Sequence, residues 1–148
     1  MKKNVTQIEL YLVIYGDDFS PNILSEITGI LPTYIHFKGE KIPLMKGLYR
    51  KENKTLYRKE TLWKYSTGFI ETLDFEDVSE QFVNVLREKI TVINNFISQN
   101  NLYVSVNAVI EIADDNVPSI HINKQLITLS KKLKTEIDID MYLLKNHL

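Results

Sequence analysis

Residues 7–15 read Gln7-Ile8-Glu9-Leu10-Tyr11-Leu12-Val13-Ile14-Tyr15. Every second residue from Ile8 to Ile14 is a branched aliphatic, and the intervening positions are polar, aromatic or valine. That period of two is the signature of a β-strand with one fully apolar face. Gly16-Asp17-Asp18 then turns the chain. Ser20-Pro21 starts a helix, with Ser20 as N-cap and Pro21 in the first helical position. Ile23, Leu24, Ile27 and Ile30 supply its apolar stripe, Gly29 ends it, and Pro32 prevents continuation.

Further along, a short strand is expected near 34–37. Strand signal returns at about 55–58 and 61–67, where Leu62, Lys64 and Ser66 alternate with Trp63, Tyr65 and Thr67; Gly68 then breaks or bulges the strand. Asp74 and Asp77 mark the start of the longest helix, roughly 75–99. Its inward positions are read as Val78, Phe82, Val85, the Lys89 stem, Ile90, Ile93, Phe96 and Ile97. A strand follows over 102–112, then an Asp114-Asp115-Asn116 turn and a strand at 119–122. Asn123 caps a last helix to about Leu133, with Leu126, Ile127, Leu129 and Leu133 inward. Residues 136–143 alternate as a final strand. These elements predict a single α+β domain over 1–148. Its mixed or antiparallel sheet has five to seven strands, with one long and two short helices on one face. The first and last strands are both expected within the sheet. Each half pairs an alternating strand with an Asp-Asp turn, a proline and a short helix, a pattern compatible with a ferredoxin-like pseudo-repeat.

The composition bounds the function. A chain of 148 residues with 44% hydrophobic and 25% charged residues has the make-up of one globular domain. A formal net charge of -1 opposes a polybasic nucleic-acid or membrane binder. Without cysteine, disulfides, thiolate metal sites and cysteine nucleophiles are excluded; that fits a reducing cytoplasm. Lys2 and Lys3 precede an apolar run, but Gln7 and Glu9 interrupt it and no cleavage site follows. The 18 basic residues are nearly all lysine, a bias suggesting an AT-rich bacterial or phage genome.

No catalytic motif is legible. His36, His121 and His147 sit singly, without zinc-site spacing; His36 and His121 are read as strand histidines. Asp17-Asp18, Asp114-Asp115 and the Glu136-Asp138-Asp140 stripe resemble hard-cation ligands, but Asp pairs are also ordinary turn residues. No metal or cofactor is therefore expected. The distinctive stretch is the basic loop or insertion expected at 38–62, whose basic composition runs on to Lys64. It holds half of all lysines and arginines, interleaved with tyrosine and tryptophan. Basic plus aromatic residues grip anionic ligands or form protein hot spots, the alternative being a solvated lysine-rich loop with Trp63 facing inward. The candidate binding residues are Lys46, Tyr49, Arg50, Tyr57, Arg58, Lys59 and Trp63.

Five ordered pieces resemble the bacterial family termed domain of unknown function 4279. They are Gly16-Asp17-Asp18-Phe19-Ser20-Pro21, Gly29-Ile30-Leu31-Pro32-Thr33, Lys38-Gly39, the stretch from Trp63 to Gly68, and Glu136 to Tyr142. The resemblance implies a small α+β domain and brings no activity, so no catalytic residue is carried over. Residues 45–60 look longer and more basic than in that family. The resulting expectation is a non-enzymatic, cytoplasmic protein-binding domain, of immunity or inhibitor type, with a protein partner and no membrane or nucleic-acid role. An anionic-ligand domain, binding or hydrolysing phosphate or nucleotide, and a homodimeric structural domain are the rival expectations.

Overall fold

A computed structural model describes residues 4–43 and 55–145. Six strands form one mixed sheet: β1 (Gln7–Gly16), β2 (Tyr34–His36), β3 (Thr61–Ser66), β4 (Ile70–Glu71), β5 (Tyr103–Ala113) and β6 (Ile137–Leu144). The helices are α1 (Pro21–Thr28), α2 (Phe75–Leu86), α3 (Ile90–Asn100) and α4 (Lys124–Lys132). A 3₁₀ turn, Arg87–Lys89, joins α2 to α3. The long helix expected over 75–99 is thus one helical run with a tightened turn inside it.

The strand order is β2-β3-β1-β5-β6, with β4 also on β1. β1 runs antiparallel to β3 and β5, β2 antiparallel to β3, and β6 parallel to β5. The elements from β1 to β5 therefore interleave as two split βαβ units: β1-α1-β2 with β3 between its strands, and β3-α2-α3-β5 with β1 between. This is the ferredoxin-like arrangement, extended by α4 and β6. Its internal correspondence pairs β1 with β3, rather than aligning the two Asp-Asp turns.

β1 lies at the centre because its apolar face needs cover along its whole length. Ile8, Leu10, Leu12 and Ile14 are each 0% exposed. Burying a side chain of this size is worth roughly 1.5–3 kcal/mol. The helices pack on that face: Phe82 of α2 stacks on Tyr65 of β3 with ring centroids 6.2 Å apart, and Phe19 meets Phe96 of α3 edge-on. The strand's other face, from Gln7 to Tyr15, stays partly exposed.

Capping follows the sequence signals. The side chains of Ser20, Asp74 and Asn123 accept from Ile23, Glu76 and Leu126 backbone N–H groups, and Gly29 closes α1. Between β3 and β4, three residues (Thr67, Gly68, Phe69) span what Glu9 and Leu10 span on β1. That is a bulge, and Gly68 occupies it at φ +71°, a region side chains disfavour.

Several expectations need correction. Val85 points outward, while Val83 and Leu86 complete the buried stripe of α2. Ile127 of α4 and Ile23 and Ile27 of α1 are exposed. These helices lean on the sheet over a narrower arc than a stripe of four aliphatics suggests. Residues 119–122 form no strand; Ser119 makes one bridge to Asp74, and His121 lies outside any strand. β6 belongs to the sheet but forms its edge.

Because the two faces of β1 differ so sharply, substitutions on them should differ too. Leu12→Ala should cost about 2–5 kcal/mol in urea unfolding, and Tyr15→Phe less than about 0.5 kcal/mol. Equal losses would contradict the one-faced core.

Candidate functional site: the uncovered sheet face

Register determines which side chains share the uncovered face. On β1 these are Gln7, Glu9, Tyr11, Val13 and Tyr15. Opposite them stand Leu62, Lys64 and Ser66 of β3, and Tyr103, Ser105, Asn107, Val109 and Glu111 of β5. β2 adds Tyr34 and His36, and β6 adds Asp138, Asp140 and Tyr142. Five of the chain's eight tyrosines (Tyr11, Tyr15, Tyr34, Tyr103 and Tyr142) therefore lie on one face.

These side chains hold one another. Tyr15 and Tyr103 stack with centroids 5.4 Å apart. The Lys64 Nζ sits 4.1 Å from the centre of the Tyr11 ring, a cation–π contact. Ser66 donates to Glu9 Oε2 at 2.6 Å, and Gln7 Nε2 donates to Glu111 at 3.1 Å. Burial and then the nearby acids, Glu9 first, push the Tyr11 phenol above its ordinary pKa, so it remains a neutral hydrogen-bonding group. Charge is graded across the face. Arg58 and Lys64 lie toward β2 and β3, Glu9 on the central β1, and Glu111, Asp138 and Asp140 on β5 and β6.

At the β2 end the face closes over a polar cluster. Phe37-Lys38-Gly39-Glu40 is a tight turn, with Glu40 N–H on the Phe37 carbonyl and Gly39 at φ +87°. Residues 39–42 then pair back on 56–58, through Gly39 N–H to Arg58, Arg58 N–H to Glu40, Ile42 N–H to Leu56, and the Lys41–Tyr57 bridge. Part of the expected loop is thus a two-stranded arm. It brings Arg58 Nη2 within 3.3 Å of the Tyr34 hydroxyl, which lies 3.1 Å from His36 Nδ1. Arg58 donates to the Tyr34 oxygen, and the Tyr34 hydroxyl and His36 Nδ1 share a hydrogen bond. His36 is 8% exposed. Burial chiefly, and Arg58 second, hold its pKa below the ordinary 6.5, so the ring is neutral at pH 7.

The candidate binding residues separate accordingly. Tyr57 and Lys59 are exposed, and Arg58 is partly exposed above Tyr34. Lys46, Tyr49 and Arg50 lie outside the described residues. Trp63 is corrected: it is 0% exposed, registers with Ile14 on the helical side, and its indole N–H donates to Ser25 Oγ at 3.0 Å. It pins α1 to β3 and cannot meet a partner. The tyrosine face escaped sequence reading because it is assembled from five strands, none carrying more than two of its tyrosines.

The Asp pairs have local partners or geometry. Asp17 pairs with Lys38, and Asp114 and Asp115 take left-handed turn conformations at φ +50° and +60°. Among the described residues no three His, Asp or Glu side chains gather as a metal site, and no helix is long and apolar enough to cross a membrane. On the helical side, a cleft of about 200 Å³ between α2 and α4 is flanked by Arg87, Lys124 and Lys132 over Val83, Ile90 and Leu129.

The family model described as Domain of unknown function (DUF4279) matches residues 6–144. The chain belongs to that family. The match runs from the residue before β1 to the last residue of β6, so the DUF4279 unit is the whole sheet with its helices. No curated protein and no solved structure matches the chain.

The His36 cluster has a pH consequence. A lowered native pKa means the unfolded chain takes up the proton first, so stability falls as pH drops from 6.5 toward the native value and loses nothing further below it. Melting temperatures between pH 7.5 and 5 should fall less for His36→Gln than for the natural chain. The His36 ring should titrate below 6.5 by NMR, and Arg58→Gln should move that titration upward. A titration at or above 6.5 would refute the cluster as described.

Proposed function

We propose that this DUF4279 chain is a non-enzymatic protein-binding domain whose working surface is the tyrosine-rich open face of its sheet. The observation that carries the reading is the clustering of Tyr11, Tyr15, Tyr34, Tyr103 and Tyr142 on a face that no helix among the described residues covers. Tyrosine offers a large contact area with few rotatable bonds and a hydroxyl that stays paired when buried. The face is also pre-ordered by the Tyr15–Tyr103 stack and the Ser66–Glu9 and Gln7–Glu111 hydrogen bonds. Less side-chain entropy is then lost on docking.

The partner this surface fits is a protein with a mixed rim. Acidic groups would meet Arg58, Lys64 and Lys59, and basic groups would meet Glu9, Asp138 and Asp140. The interleaved acids oppose a nucleic-acid or anionic-lipid partner, which a polybasic surface would serve better. An inhibitor or immunity role, in which one protein occludes another's surface, is the class of action that needs only such complementarity. The same reading has the domain working in a bacterial cytoplasm, supported by its cysteine-free, lysine-biased composition.

A second reading rests on the α2–α4 cleft, where Arg87, Lys124 and Lys132 surround a small apolar floor. That is the chemistry of a small anionic ligand such as a phosphate ester.

The two readings separate by mutation. A protein captured by the natural chain should lose at least ~30-fold in affinity with Tyr15→Ala plus Tyr103→Ala, because central tyrosines carry about 2 kcal/mol or more. Arg58→Ala should weaken it less, and Lys124→Ala plus Lys132→Ala should leave it intact. Undiminished binding by the tyrosine variant would end the first reading. ATP-induced NMR shifts confined to the cleft would favour the second.

A further inference from the structure

The sheet's two edges are unlike. β2 is three residues long and continues into the arm that pairs 39–42 with 56–58. β6 is eight residues long, pairs only with β5, and among the described residues has nothing along its outer side. An edge strand of that length presents a row of unpaired N–H and C=O groups. Natural proteins usually blunt such an edge with proline, lysine, a bulge or a covering segment. β6 has no proline, lysine or bulge within it, and its two charges, Asp138 and Asp140, both lie in its first half on the open face. Its second half is apolar and open, with Met141 55%, Tyr142 55% and Leu143 77% exposed.

We propose that β6 pairs antiparallel with β6 of a second copy, joining two sheets into one. A two-fold axis perpendicular to the sheet keeps both helical layers on one side and both tyrosine faces on the other. It also requires opposed residues to share a face. Centring the axis on Met141 sets Met141 against Met141 and Ile139 against Leu143 on the helical side. On the open side it sets Asp140 against Tyr142, twice, with each phenol able to donate to a carboxylate. Moving the centre to Asp140 would oppose like charges, which is destabilising across strands. In the Met141 register Asp138 meets Leu144 only at the strand ends; moving the centre to Tyr142 would set Asp140 against Leu144 and lose both Asp140–Tyr142 pairs. The strand is therefore self-complementary in one register, which is why a second copy fits better than an unrelated strand. The tyrosine face on β1, β2 and β5 stays free in this dimer.

The absence of cysteine makes the test clean. Directly opposed residues in antiparallel strands have Cα atoms about 4.5–5.5 Å apart, within disulfide range. Under mild oxidation Met141→Cys should form a covalent dimer, whereas Tyr103→Cys, exposed on the open face, should stay largely monomeric. Light scattering should give a dimer mass for the natural chain at tens of micromolar. Leu143→Lys should raise the dissociation constant at least tenfold while keeping the far-UV circular dichroism of the natural chain. A monomer at all soluble concentrations overturns the proposal. So does a dimer that Leu143→Lys leaves unchanged, or Met141→Cys cross-linking no faster than Tyr103→Cys. The Tyr15 and Tyr103 alanine variants should remain dimeric, so loss of partner binding and loss of the dimer are separable.

Discussion

Everything in this fold is organised by the single phase of β1. Ile8, Leu10, Leu12 and Ile14 are all fully buried, and a strand apolar on one side along its length must be covered along its length. That requirement draws the helices to one side of the sheet and places β3 and β5 on either flank, where their own inward residues widen the same layer. A slip of one residue would carry the whole aliphatic set into water. The neighbouring strands inherit their phase from β1: Trp63 faces the helices because it registers with Ile14, and Lys64 faces outward because it registers with Val13.

The other consequence is the opposite face. With the helices committed to one side, the alternate residues of five strands are left to solvent, and here they are rich in tyrosine and graded in charge. The cross-strand contacts already made there, from the Tyr15–Tyr103 stack to the Lys64–Tyr11 contact, make this face an ordered surface. The arm formed by 39–42 and 56–58 overlaps one end and seals His36 beneath Tyr34 and Arg58. The basic stretch noticed in the sequence thus contributes a border of the surface, through Arg58, Lys59 and Lys64.

How much was legible depends on how local each signal is. The phase of β1, the Ser20, Asp74 and Asn123 caps and the Gly68 bulge are written within a few residues, and they hold. Helix facing is less local: Val85, Ile127 and Ile23 are aliphatic yet exposed, because the buried arc depends on how each helix leans against the sheet. Edge or centre cannot be read from alternation, so β6 was expected inside the sheet. Trp63 was legible in principle. It alternates with Lys64, and a lysine on one face of a strand argues that its neighbours face the core. Composition alone left Trp63 between a binding role and an inward-facing one, and this parity decides between them. The tyrosine face belongs to no local stretch, and only register assembles it.

One face of the sheet is core and the other is open. Hydroxyl-radical footprinting of the folded chain, read residue by residue by mass spectrometry, addresses this directly. Tyr15, Tyr34 and Tyr103 should be oxidised readily, while Trp63 and Phe82, intrinsically reactive but buried, should be protected until the chain is unfolded. Ready oxidation of Trp63 in the folded state, or protection of Tyr15 and Tyr103 equal to that of Phe82, would contradict the account.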